Sequence, residues 1–436
     1  MDKLLQMPRL AGEVRAPSSK SEAHRMLIAA ALSALYGGLA VPRRVVCTDL
    51  NEDIEATARC LAALGAGVAR EGDAFLVSPI QALPRRAVLD CGESGSTLRF
   101  LLPVVCALGS VDGAPERFTV SMVGRGRLPE RPLSPLYEEL VAHGAVMTPM
   151  GSNPLVVGGA LRGGNFTLSG GVSSQFISGL LFALPLLRED SRIHVTGKIE
   201  STPYIGMTVD ALASVTGAVQ GALPCFEIAG NTPGHPNAIG QSALSVGGDW
   251  SGAAFFLAAG ALATAGRSVT VTGLDMQSRQ GDRAIVEVLS RMGAAMEADA
   301  DRVTAFGSTL RGCVIDASQI PDLVPILAVV AAVAEGETRI VGASRLRIKE
   351  SDRLATVTAL LCALGGDVRE TEDGLIIRGV PMLHGGVVDA AGDHRIAMSA
   401  AVAATRCSGA VTIRGAEAVA KSYPAFWNVF EEICIK

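Results

Sequence analysis

No stretch of this chain is apolar for long enough to cross a bilayer. Hydrophobic residues make up 49% of its 436 positions, and the mean hydropathy is +0.35. Yet the longest apolar runs, Ala253–Gly266 and Leu323–Ala334, fall short of a span and are rich in Ala and Gly. They read as tightly packed internal helices. The opening MDKLLQMPRL has no apolar signal region, which argues against export. The nine cysteines form no C-x-x-C pair and show no metal-like spacing, as expected of a reduced cytoplasmic protein. A net charge of −5 counts against general nucleic-acid binding. There is no G-x-x-x-x-G-K-S/T loop, no G-x-S-x-G elbow and no metal-type histidine cluster. No low-complexity tail or long charge run occurs either.

What is present is a repeat. Small or polar openings lead into Ala/Leu-rich helices six times, anchored at Ser18, Glu93, Ser173, Asp249, Asp322 and Asp393, which lie 75, 80, 76, 73 and 71 positions apart. A second series runs in step with the first. Amphipathic helices end in small-residue stops at Gly65, Gly144, Gly217, Gly293 and Gly365, spaced 79, 73, 76 and 72, each a C-cap signal. Hairpin-like stretches such as GVAREGDAFLVSP and GGDVRETEDGLIIRG follow most stops. Each unit of about 75 residues reads strand–helix–strand–helix–strand–strand. Six units exceed one core, so two three-repeat domains are expected, 20–245 and 1–19 plus 246–436. The sixth unit stops after the helix in YPAFWNVFEEICI. The N-terminal segment, strand-like around Leu10–Val14, is therefore expected to complete its sheet. The chain would then cross between domains near Pro17–Lys20 and Ser242–Gly248.

Cations collect at the element boundaries. Ser19 and Glu22 form a capping box at the start of the first helix, with Lys20, Ser21 and Arg25 in its opening turns. Arg99, Arg131, Lys349, Arg353, Arg395 and Lys421 lie beside other helix starts, joined by Ser173-Ser174-Gln175 and by Ser201 with Tyr204. Free N–H groups at a helix start favour anions, and a hydroxyl with a guanidinium suits phosphate. Each could be a capped, solvated helix end; as a set they point to small polyanions. Asp322, at the head of an apolar helix, could be a mere N-cap, and Glu350, between Lys349 and Arg353, a surface ion pair. In a crowded anion site they are the natural base and acid. His394 is ambiguous in the same way. The chemistry expected is acid–base work on phosphorylated substrates, with no cofactor and no metal.

The motifs SKSEAHR, GESGSTLR, ERPL, SSQF, STPYI, PDLVP, KESDR, DHRIAM and AKSYPAF follow in order across the chain. With these motifs in that spacing, the sequence resembles the 5-enolpyruvylshikimate-3-phosphate synthase family over essentially its whole length. The resemblance implies an α/β fold of two inside-out domains, each of three βαβαββ repeats with buried parallel helices, and a ligand site in the cleft between domains. It implies transfer of the enolpyruvyl group of phosphoenolpyruvate to the 5-hydroxyl of shikimate 3-phosphate. Lys20, Ser21, Arg25, Ser173, Ser174, Gln175, Ser201, Tyr204, Asp322 and Lys349 would hold shikimate 3-phosphate. Lys20, Gly95, Arg131, Gln175, Glu350, Arg353, His394, Arg395 and Lys421 would hold phosphoenolpyruvate, a pocket shared with glyphosate. Asp322, Glu350 and Lys20 would be catalytic.

Two positions depart from the family pattern: Arg345 stands where many relatives have Asn, and Glu93 where Asn is common. Two other readings stay open. The sister transferase acting on UDP-N-acetylglucosamine carries a cysteine in a loop that corresponds to Pro115–Glu130, where this chain has none. A non-catalytic phospho-ligand binder would not need the acid–base pair. The expected partners are small molecules alone, with no nucleic acid and no membrane, and the chain is expected to be a cytoplasmic monomer whose domains close on ligand.

Overall fold

The computed structural model describes residues 1–38, 40–230 and 243–435; Ser242, at the edge of the second expected crossing, lies outside them. The chain is mixed α/β and divides into two compact units, Lys20–Val246 and Met1–Ser19 with Gly247–Lys436. Among the described residues no helix is long and apolar enough to cross a membrane.

Among its described residues the unit Lys20–Val246 carries three four-stranded sheets. In one, Arg86–Asp90 runs parallel to Thr119–Val123 across the helix Gly95–Leu108, with Leu155–Gly159 and Ala145–Met147 antiparallel beyond. In the next, Gly164–Ser169 and Ser191–Thr196 flank the helix Ser174–Ala183, and the helix Thr202–Ala213 leads to the hairpin Val219–Ala222 with Cys225–Ile228. The repeat that opens with helix Lys20–Leu32 has no strand of its own ahead of it in this unit. Ala243–Ser245, from the unit's far end, takes that place, parallel to Arg43–Val46.

The other unit is completed in a similar way from the opposite end of the chain. Gly12–Arg15 runs parallel to Ser268–Thr272 and leads the repeat whose helix is Trp250–Ala261. Val314–Asp316 and Glu337–Val341 flank helix Val324–Ala331, followed by helix Arg353–Ala363 and the hairpin Asp367–Glu370 with Leu375–Arg378. Gly386–Asp389 pairs with Val411–Arg414 about helix His394–Ala404, and Asp2–Leu5 joins this last sheet antiparallel. The expectation for the N-terminal segment therefore holds for Asp2–Leu5 and is corrected for the strand around Leu10–Val14. Arg9–Leu10 pairs with Cys434–Ile435. Gly12, at φ 135°, then redirects the chain into a different sheet, a backbone conformation that side chains with a Cβ rarely adopt.

The first helix of each repeat lies inside, the second keeps an exposed face, and the sheets lie outside. Trp250–Ala261 and Val324–Ala331 are buried on nearly every face, as apolar residues all round the helix require. The strand Ser191–Thr196 alternates buried and exposed, one face on the helices and one in water. Helices Gly95–Leu108 and Ser174–Ala183 pack against each other. A Cβ at Gly179 would stand 2.5 Å from the carbonyl oxygen of Arg99 and 2.7 Å from Pro103, so only glycine allows this approach. Gly65, Gly144, Gly293 and Gly365 take positive φ at their stops, at 105°, 102°, 101° and 77°. Gly217 does not: helix Thr202–Ala213 is already closed by Ser214, and Thr216 N–H donates to Leu212 O before Gly217 is reached.

Candidate active site

In the unit Lys20–Val246, the opening helix meets its neighbours through polar side chains. Arg25, one turn after Ser21, is buried and stacks on the Phe100 ring at 4.9 Å. Its Nε donates to Thr208 Oγ1 (2.8 Å), Nη2 to Tyr204 O (2.8 Å) and Nη1 to Ser21 O (2.7 Å). Burial pulls its pKa down to about 10, against the opposing pull of Tyr204 and Glu22. The guanidinium is thereby fixed between this helix and Thr202–Ala213. Ser201 begins the latter at φ 54°, ψ 41°, a left-handed conformation rare for serine.

Lys20 is not in the exposed turn that the bare helix pattern suggests. Its Nζ lies 2.8 Å from Asp53 Oδ2, with the side chains only 16% and 14% exposed. Asp53 reads in sequence as one of several acids in the first turn after the Asn51 cap, so nothing local marks it as a partner. One turn further along the same two helices, His24 Nδ1 meets Thr57 Oγ1 (2.7 Å), which meets Thr97 Oγ1 (2.6 Å). Burial first, then Lys20 and Arg25, hold His24 neutral. Lys20→Met strands Asp53 half-desolvated, so the melting temperature is expected to fall and to be partly restored by adding Asp53→Asn. Equal melting of Lys20→Met and the parent would show the pair to be immaterial to folding.

The helix Gly95–Leu108 starts with Ser94 capping Thr97 N–H at 3.2 Å. A Cβ at Gly95 would stand 2.7 Å from Arg131 Nη1 and 3.1 Å from Arg99 Nη1. Two guanidinium groups thus close on a bare backbone at the positive end of a helix, an arrangement suited to an anion. Gln175 is held from both sides: Arg99 Nη1 donates to its Oε1 (3.0 Å), and its Nε2 donates to Ser96 Oγ (2.9 Å). Ser173 caps the same helix through Gln175 N–H, and Ser174 is buried. Glu93 rests its carboxylate against Gly126, where a Cβ would meet it at 2.7 Å.

The other unit gathers Asp322, Lys349, Glu350, Arg353 and Arg395. Asp322 is not the cap of the apolar helix after it, which has no side-chain cap; it lies in the short turn Pro321–Leu323. Its carboxylate takes Arg353 Nη1 on Oδ1 (2.7 Å) and Arg395 Nη2 on Oδ2 (3.1 Å), with Lys349 Nζ 3.7 Å from Oδ1. Arg353, 2% exposed, also donates through Nη2 to Glu350 Oε2 (2.7 Å) and through Nε to Asp393 Oδ2 (2.8 Å). Glu350 is thus no surface pair; it shares a buried guanidinium with the other two carboxylates. Asp393 caps Arg395 N–H at 3.0 Å and accepts from Ser351 Oγ at 3.0 Å. His394 is buried with Nδ1 3.9 Å from Asp393 Oδ1, and Lys421 Nζ donates to Gly392 O at 2.8 Å. Burial alone would raise the pKa of Asp322, but Arg395, Lys349 and Arg353 outweigh it and hold the carboxyl well below its usual range. Burial lowers Lys349 to about 8, opposed by Asp322.

The sequence motifs thus fall into two groups, one per unit, each tied by contacts between repeats. Asp53, Ser96, Thr208 and the pairing role of Asp393 were not legible beforehand. Asp393 shows in sequence only as a helix opening, and Arg99 only as one more boundary cation.

Known proteins are similar to this chain over its whole length. A family model described as EPSP synthase (3-phosphoshikimate 1-carboxyvinyltransferase) matches residues 5–430. A 3-phosphoshikimate 1-carboxyvinyltransferase of Clostridium perfringens is 42% identical, covering 99% of this chain and 98% of its own. One from Clostridium kluyveri is 41% identical, covering 98% and 95%. The solved EPSP synthase of Acinetobacter baumannii superposes with a TM-score of 0.78 at 25% identity, over 100% of this chain and 99% of that one. An enolpyruvyl transferase from Streptomyces tendae shares the fold, with a TM-score of 0.73 at 18% identity over 99% and 97% of the two chains. With the family model spanning nearly its whole length and relatives above 40% identity, this chain belongs to the EPSP synthase family.

Proposed function

We propose that the chain transfers the enolpyruvyl group of phosphoenolpyruvate to the 5-hydroxyl of shikimate 3-phosphate and releases phosphate, a step of the shikimate pathway toward aromatic amino acids. The observation that carries this reading is the single buried guanidinium of Arg353 bridging Asp322 and Glu350, with Lys349 and Arg395 on Asp322. A binding protein needs cations for such ligands; it does not need two carboxylates among them. Asp322 accepts the 5-hydroxyl proton as that oxygen bonds to C2 of phosphoenolpyruvate. Glu350, with Lys20, delivers a proton to C3. The tetrahedral adduct then loses the C3 proton and the phosphate, restoring the double bond. The cations offset two phosphates and two carboxylates, and each placed donor contributes a few kcal/mol, roughly, to the transition state.

Shikimate 3-phosphate would draw on Ser21, Arg25, Ser173, Ser174, Gln175, Ser201 and Tyr204, and on Lys349. Phosphoenolpyruvate would draw on Lys20, Gly95, Arg131, Gln175, Arg353, His394, Arg395 and Lys421. The test is phosphate release from phosphoenolpyruvate. Release that requires shikimate 3-phosphate supports the reading. Release with UDP-N-acetylglucosamine instead would place the chain with the sister transferase, and binding without release would make it a binder.

Gly95→Ala tests the phosphoenolpyruvate pocket. The added methyl must push the Arg131 guanidinium aside, because 2.7 Å is far inside contact distance. The Michaelis constant for phosphoenolpyruvate should rise. The inhibition constant of the longer glyphosate should rise more, since it has less slack. If neither constant moves, Gly95 is not part of the pocket. We also place the protein in the cytoplasm as a monomer; light scattering should return the single-chain mass of 44.9 kDa.

A further inference from the structure

Asp282 has no role in the scheme above, yet its carboxyl is completely buried. It lies in the short turn Gly281–Ala284. Gln280, just before it, accepts from Trp250 N–H at 3.0 Å and donates to Gly248 O at 2.8 Å, which pins the turn against the helix Trp250–Ala261. Ser251 Oγ, in the first turn of that helix, donates to Asp282 Oδ2. Asp282 Oδ1 is buried without a hydrogen-bond partner among the described residues. The same helix packs against both the turn holding Asp282 and the turn Pro321–Leu323 holding Asp322. A buried carboxyl with one orphaned oxygen is costly, and an apolar side chain there would cost less.

We propose that Asp282 is a positioning residue of the acid–base centre: its buried negative charge, oriented by Ser251, acts on Asp322 and Arg395 so that Asp322 stays basic enough to take the substrate proton. The proposal rests on the reading of Asp322 as the base. Three cations hold Asp322 ionised, which by itself makes it a weak proton acceptor. A second carboxylate, held against the same helix as the turn of Asp322 and interacting with it electrostatically, raises its proton affinity while ionised without displacing those cations. The groups acting on Asp282 are Asp322, Arg395, Ser251 and Asp249. Burial lifts its own pKa to about 6, with Asp322 and Asp249 adding to the rise and Arg395 and Ser251 opposing it.

The test compares the parent, Asp282→Asn and Ser251→Ala in kcat–pH profiles, in melting against pH, and in carbon-13 carboxyl titrations of the free protein. In the parent, kcat should fall as pH drops through about 6, where Asp282 becomes neutral. Asp282→Asn should be slower by roughly tenfold or more on the plateau and flat through that range. Ser251→Ala, which removes a bond that lowers the pKa of Asp282, should move the fall to higher pH. A group whose folded pKa is raised costs stability when ionised. Asp282→Asn should therefore melt above the parent near about pH 8, an advantage that fades as pH falls below the folded pKa. In the titrations one carboxyl midpoint near 6 should vanish in Asp282→Asn, while Asp322, which titrates where Asp282 is already neutral, keeps its midpoint. A purely structural role predicts lower melting of Asp282→Asn at every pH and an unmoved kcat profile; either result overturns the proposal. So does the lack of any carboxyl midpoint near 6 in the parent that Asp282→Asn removes. Absence of turnover in the parent would defeat the activity reading, and the melting and titration arms, which need no substrate, would still decide the role of Asp282.

Discussion

Asp322→Asn is expected to lower kcat by about 10²–10⁴-fold while both substrates still bind. The amide keeps the volume of the carboxylate, but its one oxygen can accept from only one of Arg353 and Arg395, which hold the two carboxylate oxygens at 2.7 and 3.1 Å. What it also loses is the capacity to take a proton. Removing one negative charge beside Lys349, Arg353 and Arg395 leaves the site more cationic, so anionic substrates should bind as well as before or better. The variant should also melt lower at neutral pH. Asp322 is a group whose folded pKa is depressed, so its stabilising contribution is present above the unfolded value and is lost as pH falls through the folded one. The melting difference should therefore close in strong acid. Steady-state kinetics beside calorimetric binding check this. A kcat within a few-fold of the parent would take the base role from Asp322.

Arg353→Met is expected to be the most destabilising single change in the site. Its side chain is 2% exposed, and its three nitrogens serve Asp322, Glu350 and Asp393. Without it three carboxylates share a largely buried space with one charge fewer to balance them. Removing one partner of a buried ion pair costs about 3–5 kcal/mol, and a unit of this size should lose roughly 6–20 °C in melting temperature. Arg353→Lys should recover little, because one ammonium cannot reach three acceptors in a plane. Adding Asp393→Asn to Arg353→Met should restore part of the loss, since it neutralises the carboxylate with 0% exposure. Unchanged melting of Arg353→Met would mean that the three carboxylates do not depend on the guanidinium.

Much of this architecture was legible in the sequence, because its signals are local. Ala- and Leu-rich runs without a polar face describe helices buried all round, and Trp250–Ala261 and Val324–Ala331 are such helices. Glycine stops mark where chains turn left-handed, as at Gly65, Gly144, Gly293 and Gly365; Gly217 departs because Ser214 and Thr216 end its helix first. The motif order also placed the chain in its family.

Only the tertiary structure decided the rest. Which sheet receives Gly12–Arg15 depends on a partner strand, Ser268–Thr272, more than 250 residues away, and strand propensity carries no address. The state of each ionisable group was equally out of reach. Lys20 reads as a solvated helix start until Asp53 closes on it, and Asp282 reads as one acid in a turn until burial raises its pKa. Asp322 and Asp282 are the same residue type, yet one is driven down by three cations and the other up by desolvation. A pKa is set by the charges and the solvent within a few ångströms, and for these residues both come from distant parts of the chain.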